Sequence, residues 1–240
     1  MWVSPSGPPR LLESSLHLWR LALDVSSECQ ARLEKLLSPA EKMRAERFVH
    51  DHDRRHSTVT RAVLRILVGQ YLGKRPEACL IESKDREKPF VLENGRPSPL
   101  RFSLSHSHGH ALLGFTLNHE IGVDLEQLRP LPDAGELAKR YFSLAESREI
   151  MDLDGEQRME GFLNCWTRKE AYVKARGRGL EIPLNSFAVR CSPGAPLELR
   201  SVDSANWSMH SFRPFHDFVA AVVVEKKGWE LQFYDAASLL

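Results

Sequence analysis

The chain has 240 residues, 42% of them hydrophobic, and a formal net charge of +1. That size accommodates one large domain or two small ones with a substantial core, and the near-neutral charge excludes a generally basic nucleic-acid binder, so anion recognition must be local. No apolar run approaches the roughly 20 residues that span a bilayer, and M-W-V-S-P-S-G-P-P-R at the start lacks the basic and apolar regions of a secretory signal.

After a Pro/Gly/Ser-rich stretch over 1–15, His17 to Val25 alternates as a strand. Ser26 or Ser27 is placed to cap a helix running toward Leu37. Ser38-Pro39 opens a second helix, with Ser38 as N-cap, Pro39 at the first position and Glu41 completing a capping box. A long amphipathic pattern follows, with Val59, Val63, Leu64, Leu67 and Leu72 on one face and Gly73 as its stop. Between Lys42 and Arg65 stand seven Lys/Arg against three Asp/Glu. That excess reads either as a solvated helix pair or as a phosphate-binding surface.

A-C-L-I-E-S after Glu77 and K-P-F-V-L-E from Lys88 read as short extended pieces, and Asn94-Gly95 as a turn. Phe102 to Leu104 and Ala111 to Leu117 read as strands around S-H-S-H-G-H. The H-x-H spacing of His106, His108 and His110 invites a zinc reading. No local D-H pair follows, and the carboxylates elsewhere favour magnesium. Ser105 and His106 are therefore expected to hydrogen-bond a phosphate at a strand-to-strand turn, with His108 and His110 as turn or surface residues.

Near the midpoint, E-I-G-V-D-L-E alternates Ile121, Val123 and Leu125 with Gly122, Asp124 and Glu126, the pattern of a half-buried strand. Asp124 and Glu126 then share a face about 7 Å apart at ~3.3 Å per residue, a pair suited either to solvent or to a hard cation. Helices are expected over Glu136–Phe142 and Leu144–Met151, the second opened by a Ser143/Glu146 capping box. The main helix begins near Gln157, carries W-T-R-K-E-A-Y-V-K and ends in R-G-R-G. Trp166, Glu170 and Lys174 fall at i, i+4 and i+8 on one face with Lys169 on its flank. Such a row is an exposed helix with a Glu170–Lys174 pair, or a third carboxylate for a cation and a lysine for its bound anion. From Ser186 onward the pattern is β, in five short runs ending at W-E-L-Q-F-Y. The expected architecture is α+β, two lobes meeting near Asp124, 1–118 and 119–240, with no residue-level repeat between them. The four separated cysteines, Cys29, Cys79, Cys165 and Cys191, with no C-x-x-C pair, read as reduced thiols of a cytosolic protein.

Together, R-F near Phe48, K-P at Lys88, F-S-L-S-H-S, G-V-D-L-E and W-T-R-K-E-A-Y-V-K-A-R-G-R-G-L resemble the surfactin-type 4′-phosphopantetheinyl transferases, over roughly Ser38 to Phe187. The two acidic motifs in combination are specific, where either alone is weak. The resemblance implies a pseudo-dimer of two similar α+β lobes with coenzyme A in the cleft between them. It implies transfer of phosphopantetheine to a serine of an apo acyl or peptidyl carrier protein, with no nucleic acid or membrane partner, by a cytoplasmic monomer. Carried over by residue, it implies Asp124, Glu126 and Glu170 as magnesium ligands, Lys174 on the pyrophosphate and Lys169 beside it. Ser105 and His106 would meet the adenosine 3′-phosphate, Arg55 and Arg44 would reach phosphate from the first lobe, and Lys88 would border the adenine or phosphate. His56 and Glu41 stand where relatives carry basic residues. Glu170 would accept the serine proton directly or through a metal-bound water, a choice the sequence leaves open. A coenzyme A-binding acyltransferase and a metal-dependent phosphohydrolase are the competing classes.

Overall fold

The structure, a computed structural model, describes residues 1–5, 7–83, 88–177 and 182–240. Residues 178–180, the last part of the R-G-R-G-L run, and residue 181 after them lie outside the described residues. Strand β1 is Ser15–Ala22, followed by helices α1, Ser27–Glu34, α2, Pro39–Ala45, and α3, Asp51–Leu72. Strands β2, Leu80–Glu82, β3, Phe90–Glu93, and β4, Arg96–Pro97, form a small antiparallel sheet. β5, Leu100–Ser107, and β6, His110–Leu117, form a hairpin, and β7 is Ile121–Gln127. Helices α4, Ala134–Tyr141, α5, Leu144–Met151, and α6, Gly155–Arg176, precede β8, Ala188–Val189, and β9, Leu199–Arg200. β10, Trp207–Phe212, β11, Phe218–Glu225, and β12, Glu230–Asp235, complete the sheets.

Two sheets make the frame, one in the order β12-β1-β6-β5 and one in the order β10-β11-β7. Period-2 alternation gives each two apolar faces. In the first sheet Trp19, Leu21, Leu113 and Phe115 pack with Val59, Val63 and Leu67 of α3. Their neighbours Leu16, Leu18 and Leu112 turn the other way and meet Ile121, Val123 and Leu125 of β7 and Ala220 and Val222 of β11. In the second sheet Val219, Ala221 and Val223 turn toward Ala171, Tyr172 and Ala175 of α6. The result is four layers, helix, sheet, sheet, helix, the α+β two-lobed arrangement the sequence implies. β12 belongs to the first sheet, pairing parallel with β1 from Ser15 opposite Glu230 to Arg20 opposite Asp235.

The lobes share a repeat that the bare sequence pattern hides. Ser38 and Ser143 each cap a short helix, and Glu41 and Glu146 close the capping box behind them. Each glutamate then pairs with a buried cation on the long 22-residue helix of its lobe: Arg65 Nε lies 2.6 Å from Glu41, and Lys169 Nζ 2.7 Å from Glu146. Each cation also donates to the loop beyond its helix, Arg65 to the carbonyls of Pro76 and Cys79, Lys169 to those of Leu184 and Phe187. Both long helices stop at a glycine in the left-handed region, Gly73 and Gly177. The lobes therefore repeat a buried-ion device rather than a residue string.

Candidate functional site

The site forms where β5, β7 and α6 converge. Alternate residues of β5 carry hydroxyls toward β7: Ser103 Oγ accepts from the Val123 amide at 3.0 Å, Ser105 Oγ donates to Asp124 Oδ1 at 2.8 Å, and Ser107 Oγ donates to Glu126 Oε2 at 2.9 Å. No strand ladder joins these two strands; a row of serine side chains does, and it fixes the acidic side chains of β7. From the other side α6 lays Lys174 across the pair. Its Nζ lies 2.7 Å from Asp124 Oδ1, 3.1 Å from Ser105 Oγ and 3.2 Å from the Val123 carbonyl oxygen.

Asp124 is only 4% exposed, and its second oxygen, Oδ2, is buried with no hydrogen-bond partner. Burial first, and then the charge of Asp124, raises the Glu126 carboxyl above its ordinary value, against the Ser107 hydrogen bond and Lys174. Glu170 is raised in the same way, by burial and then by Asp124, against Lys174. Glu126 and Glu170 thus both feel Asp124 in a partly desolvated place, with Lys174 opposing both shifts and Arg129 that of Glu126. The three carboxylates do not draw within 4.8 Å of one another as a set, as two other groups among the described residues do. The donor set fits a hard divalent cation: all oxygen, an orphaned buried carboxylate oxygen, and two further carboxyls whose charging is opposed until positive charge arrives.

Beside Glu126 an apolar cavity of about 310 Å³ opens between α4 and α6, lined by Arg129, Leu131, Leu137, Tyr141 and Trp166. Trp166, one turn before Glu170, therefore belongs to the wall of the site, as the i, i+4, i+8 row requires. On the first-lobe side a second cavity of about 260 Å³ lies between α2, α3 and the β2–β3 hairpin, with Arg44 and Arg61 on its rim. His106 points from β5 toward that side. Burial, and then the charges of Lys174 and His56, lowers its pKa, with Arg61 adding to the effect. His106 thus stands among the cations of both lobes.

Several expected site residues are engaged otherwise. Lys169 is wholly buried, bound to Glu146, Leu184 and Phe187, with its ammonium 4.2 Å from the Phe187 ring centre. It does not stand beside the carboxylates; one residue along a helix is about 100° around the axis, which turns it into the core. Ser105, expected on a phosphate, is held by Asp124 and Lys174. The hairpin turn falls at His108-Gly109, both in the left-handed region, so Ser105 and His106 are strand residues and not turn residues. Lys88 bonds Glu120 Oε2 at 2.8 Å and the Ile121 carbonyl at 2.7 Å, at the foot of β7. Arg55 donates to the Val25 carbonyl, and Arg44 is exposed on α2. Among the described residues, His106, His108 and His110 do not form a metal-donating group. Ser103 and Ser107 carry no motif spacing of their own, and the alternation S-x-S-x-S along one strand face is the signal that points to them; Arg61 belongs to the basic excess between Lys42 and Arg65.

A 4′-phosphopantetheinyl transferase superfamily model matches residues 120–223, and a model of the 4′-phosphopantetheinyl transferase N-terminal region matches 25–115. The chain is 37% identical to the 4′-phosphopantetheinyl transferase HetI of Nostoc sp., over 95% of each chain. It is 36% identical to the putative 4′-phosphopantetheinyl transferase slr0495 of Synechocystis sp., over 63% of this chain and 61% of that one. It is 26% identical to the 4′-phosphopantetheinyl transferase Sfp of Bacillus subtilis, over 75% and 78%.

Proposed function

Because this chain belongs to the 4′-phosphopantetheinyl transferase superfamily, we infer that its cleft transfers the 4′-phosphopantetheine arm of coenzyme A to a serine of an apo acyl or peptidyl carrier protein, with release of adenosine 3′,5′-bisphosphate. The observation that supports this best is the joint hold on Asp124, by Ser105 of the first lobe and Lys174 of the second. It concentrates negative side chains and one cation at the seam, where a pyrophosphate and its counter-ion need them.

Asp124, Glu126 and Glu170 are the residues that would hold magnesium, which when bound neutralises pyrophosphate charge as the bisphosphate departs. An arriving pyrophosphate offers Lys174 a second anion in place of the Asp124 oxygen it now neutralises, so the lysine is positioned to stabilise the leaving oxygen. Glu170 has a carboxyl raised by burial and by the charge of Asp124, which makes it a stronger base than an exposed glutamate, and it is assigned the serine proton. His106, Arg44 and Arg61 form the basic side of the first lobe and are assigned to the nucleotide phosphates, with Arg55 next to them. A lobe division at 118/119, with β12 returning to the first sheet, a monomeric state and a cytoplasmic location belong to the same proposal; among the described residues no helix is long and apolar enough to cross a membrane.

The test is incubation with coenzyme A, magnesium and an apo-carrier protein, read by mass spectrometry. A carrier heavier by one phosphopantetheine arm is the expected result. Free phosphopantetheine with an unchanged carrier would replace transfer by hydrolysis.

A further inference from the structure

Away from the cleft, two groups of three potential metal-donating side chains have ligand atoms within 4.8 Å of one another among the described residues. One is Glu146 with Cys165 and Cys191, wholly buried, where the Lys169 ammonium already neutralises the glutamate and opposes a second cation. The other is Asp24 with His52 and His56.

We propose that Asp24, His52 and His56 form a second metal site, for a divalent transition ion of the zinc class, separate from the carboxylates at Asp124. His52 and His56 stand at i and i+4 on the first turns of α3, so their imidazoles share one face, with ring centres 3.9 Å apart. Asp24, just beyond β1, brings Oδ1 to 2.8 Å from His56 Nε2. Asp53 Oδ1 lies 3.3 Å from His52 Nδ1, the arrangement by which an outer carboxylate orients a ligating imidazole through its other nitrogen.

The hairpin backs the group from below. Gly109 has φ +74°, and a Cβ there would come 3.3 Å from Asp24 Oδ2 and 3.6 Å from His56 Cε1. The Leu23 amide donates to the Gly109 carbonyl at 2.8 Å and fixes that approach. His56 is buried, whereas the side chains of Asp24 and His52 are 83% and 65% exposed, which leaves an open side for an ion and its remaining water ligands.

Donor chemistry sets the two sites apart. Two imidazoles and one carboxylate select zinc, nickel or copper, and an all-oxygen set selects magnesium. Bonds of about 2.0–2.2 Å from zinc to nitrogen and oxygen place tetrahedral ligands on the order of 3.3 Å apart. The three donor atoms lie within 4.8 Å of one another and the Asp24–His56 pair stands at 2.8 Å, so the group brackets that spacing. Such an ion would tie the segment after β1 to the start of α3, the helix that carries Arg55, with Gly109 of the β5–β6 hairpin packed against it.

Titration of the full chain with cobalt(II), the spectroscopic stand-in for zinc, under excess magnesium tests the site, because magnesium blocks the oxygen donors. One equivalent with the visible bands of nitrogen-containing tetrahedral ligation is expected, weakened at least about tenfold in His52→Ala and in Asp24→Asn. His52 is exposed, and Asp24→Asn keeps an Oδ1 for the 2.8 Å pairing with His56 Nε2, so thermal midpoints without metal should stay close to the parent's and exclude misfolding as the cause. Absence of saturable cobalt binding, a loss of less than tenfold in both variants, or binding that Asp124→Ala removes and His52→Ala spares would each overturn the proposal.

Discussion

Gly122 lies so close beneath Ala171 that a Cβ on it would stand 1.9 Å from the Ala171 carbonyl oxygen, and 2.4 Å from the Ala175 amide nitrogen. Backbone meets backbone there, strand against helix. That contact sets the height of α6 above β7 and so decides how far Lys174 and Glu170 stand from Asp124. The glycine is needed for space, since its φ is not in the left-handed region.

Gly122→Ala should therefore cost about 3 kcal/mol or more, the upper end of overpacking effects, because neither obstructing atom is the end of a flexible side chain. Urea unfolding midpoints check this, and turnover should fall alongside. A loss under about 1 kcal/mol would mean that α6 can lift off the strand at little cost.

Asp124→Ala removes the one carboxylate that both lobes grip. Turnover in the carrier-labelling assay should drop at least ~100-fold, the scale of losing a key electrostatic stabiliser. A variant within a few-fold of the parent at limiting magnesium would show that Asp124 does not serve the reaction.

Glu170→Gln separates proton acceptance from ligation, since the amide keeps one oxygen acceptor and loses basicity. Turnover should fall much further than coenzyme A binding measured by calorimetry with magnesium. The same variant has a signature in pH. Glu170 and Glu126 are raised in the folded protein, so the fold holds protons that the unfolded chain has released. Their favourable contribution is complete below the ordinary glutamate value and is lost as pH rises through the raised, folded value. The thermal midpoint of magnesium-free protein should decline through that window, and Glu170→Gln should flatten the decline. Magnesium should raise the midpoint more at neutral pH than below the ordinary glutamate value, because protons compete for its ligands. A magnesium shift that is the same at both ends removes the assignment.

Lys169→Ala should act on stability and leave the KM for coenzyme A unchanged. Stripping the partner from buried Glu146 should cost about 3–5 kcal/mol. Arg65→Ala, its counterpart in the first lobe, should cost a comparable amount through Glu41. A raised KM at full stability would return Lys169 to the cleft.

What the sequence made legible was local. Ser38 with Glu41, Ser143 with Glu146, and the stops at Gly73 and Gly177 are capping chemistry confined to one turn, and all four appear where the spacing puts them. The acidic strand and the Trp166–Glu170–Lys174 row were equally readable, because a single period fixes each. Lys169 departs from the place its motif implies, since its destination depends on Glu146 more than twenty residues earlier. Ser105 serves Asp124 and Lys174 and not the expected phosphate, because nothing in S-L-S-H-S says that β5 lies along β7. β1 begins at Ser15 and ends at Ala22, two residues early and three short of the alternation, because backbone pairing with β12 starts at Ser15 and pairing with β6 stops at Ala22.

The parallel pairing of β1 with β12 has a consequence for how the protein is made. The first sheet receives one of its edge strands from residues 230–235, so on the ribosome β1 waits, with one edge unpaired, while the whole second half is synthesised. At roughly 5–20 residues per second that interval is on the order of tens of seconds, long compared with the folding of either long helix. An early first lobe is then a half-finished sheet with Trp19 and Tyr234 not yet stacked. The two halves cannot mature one after the other; they finish together, when the last strand arrives.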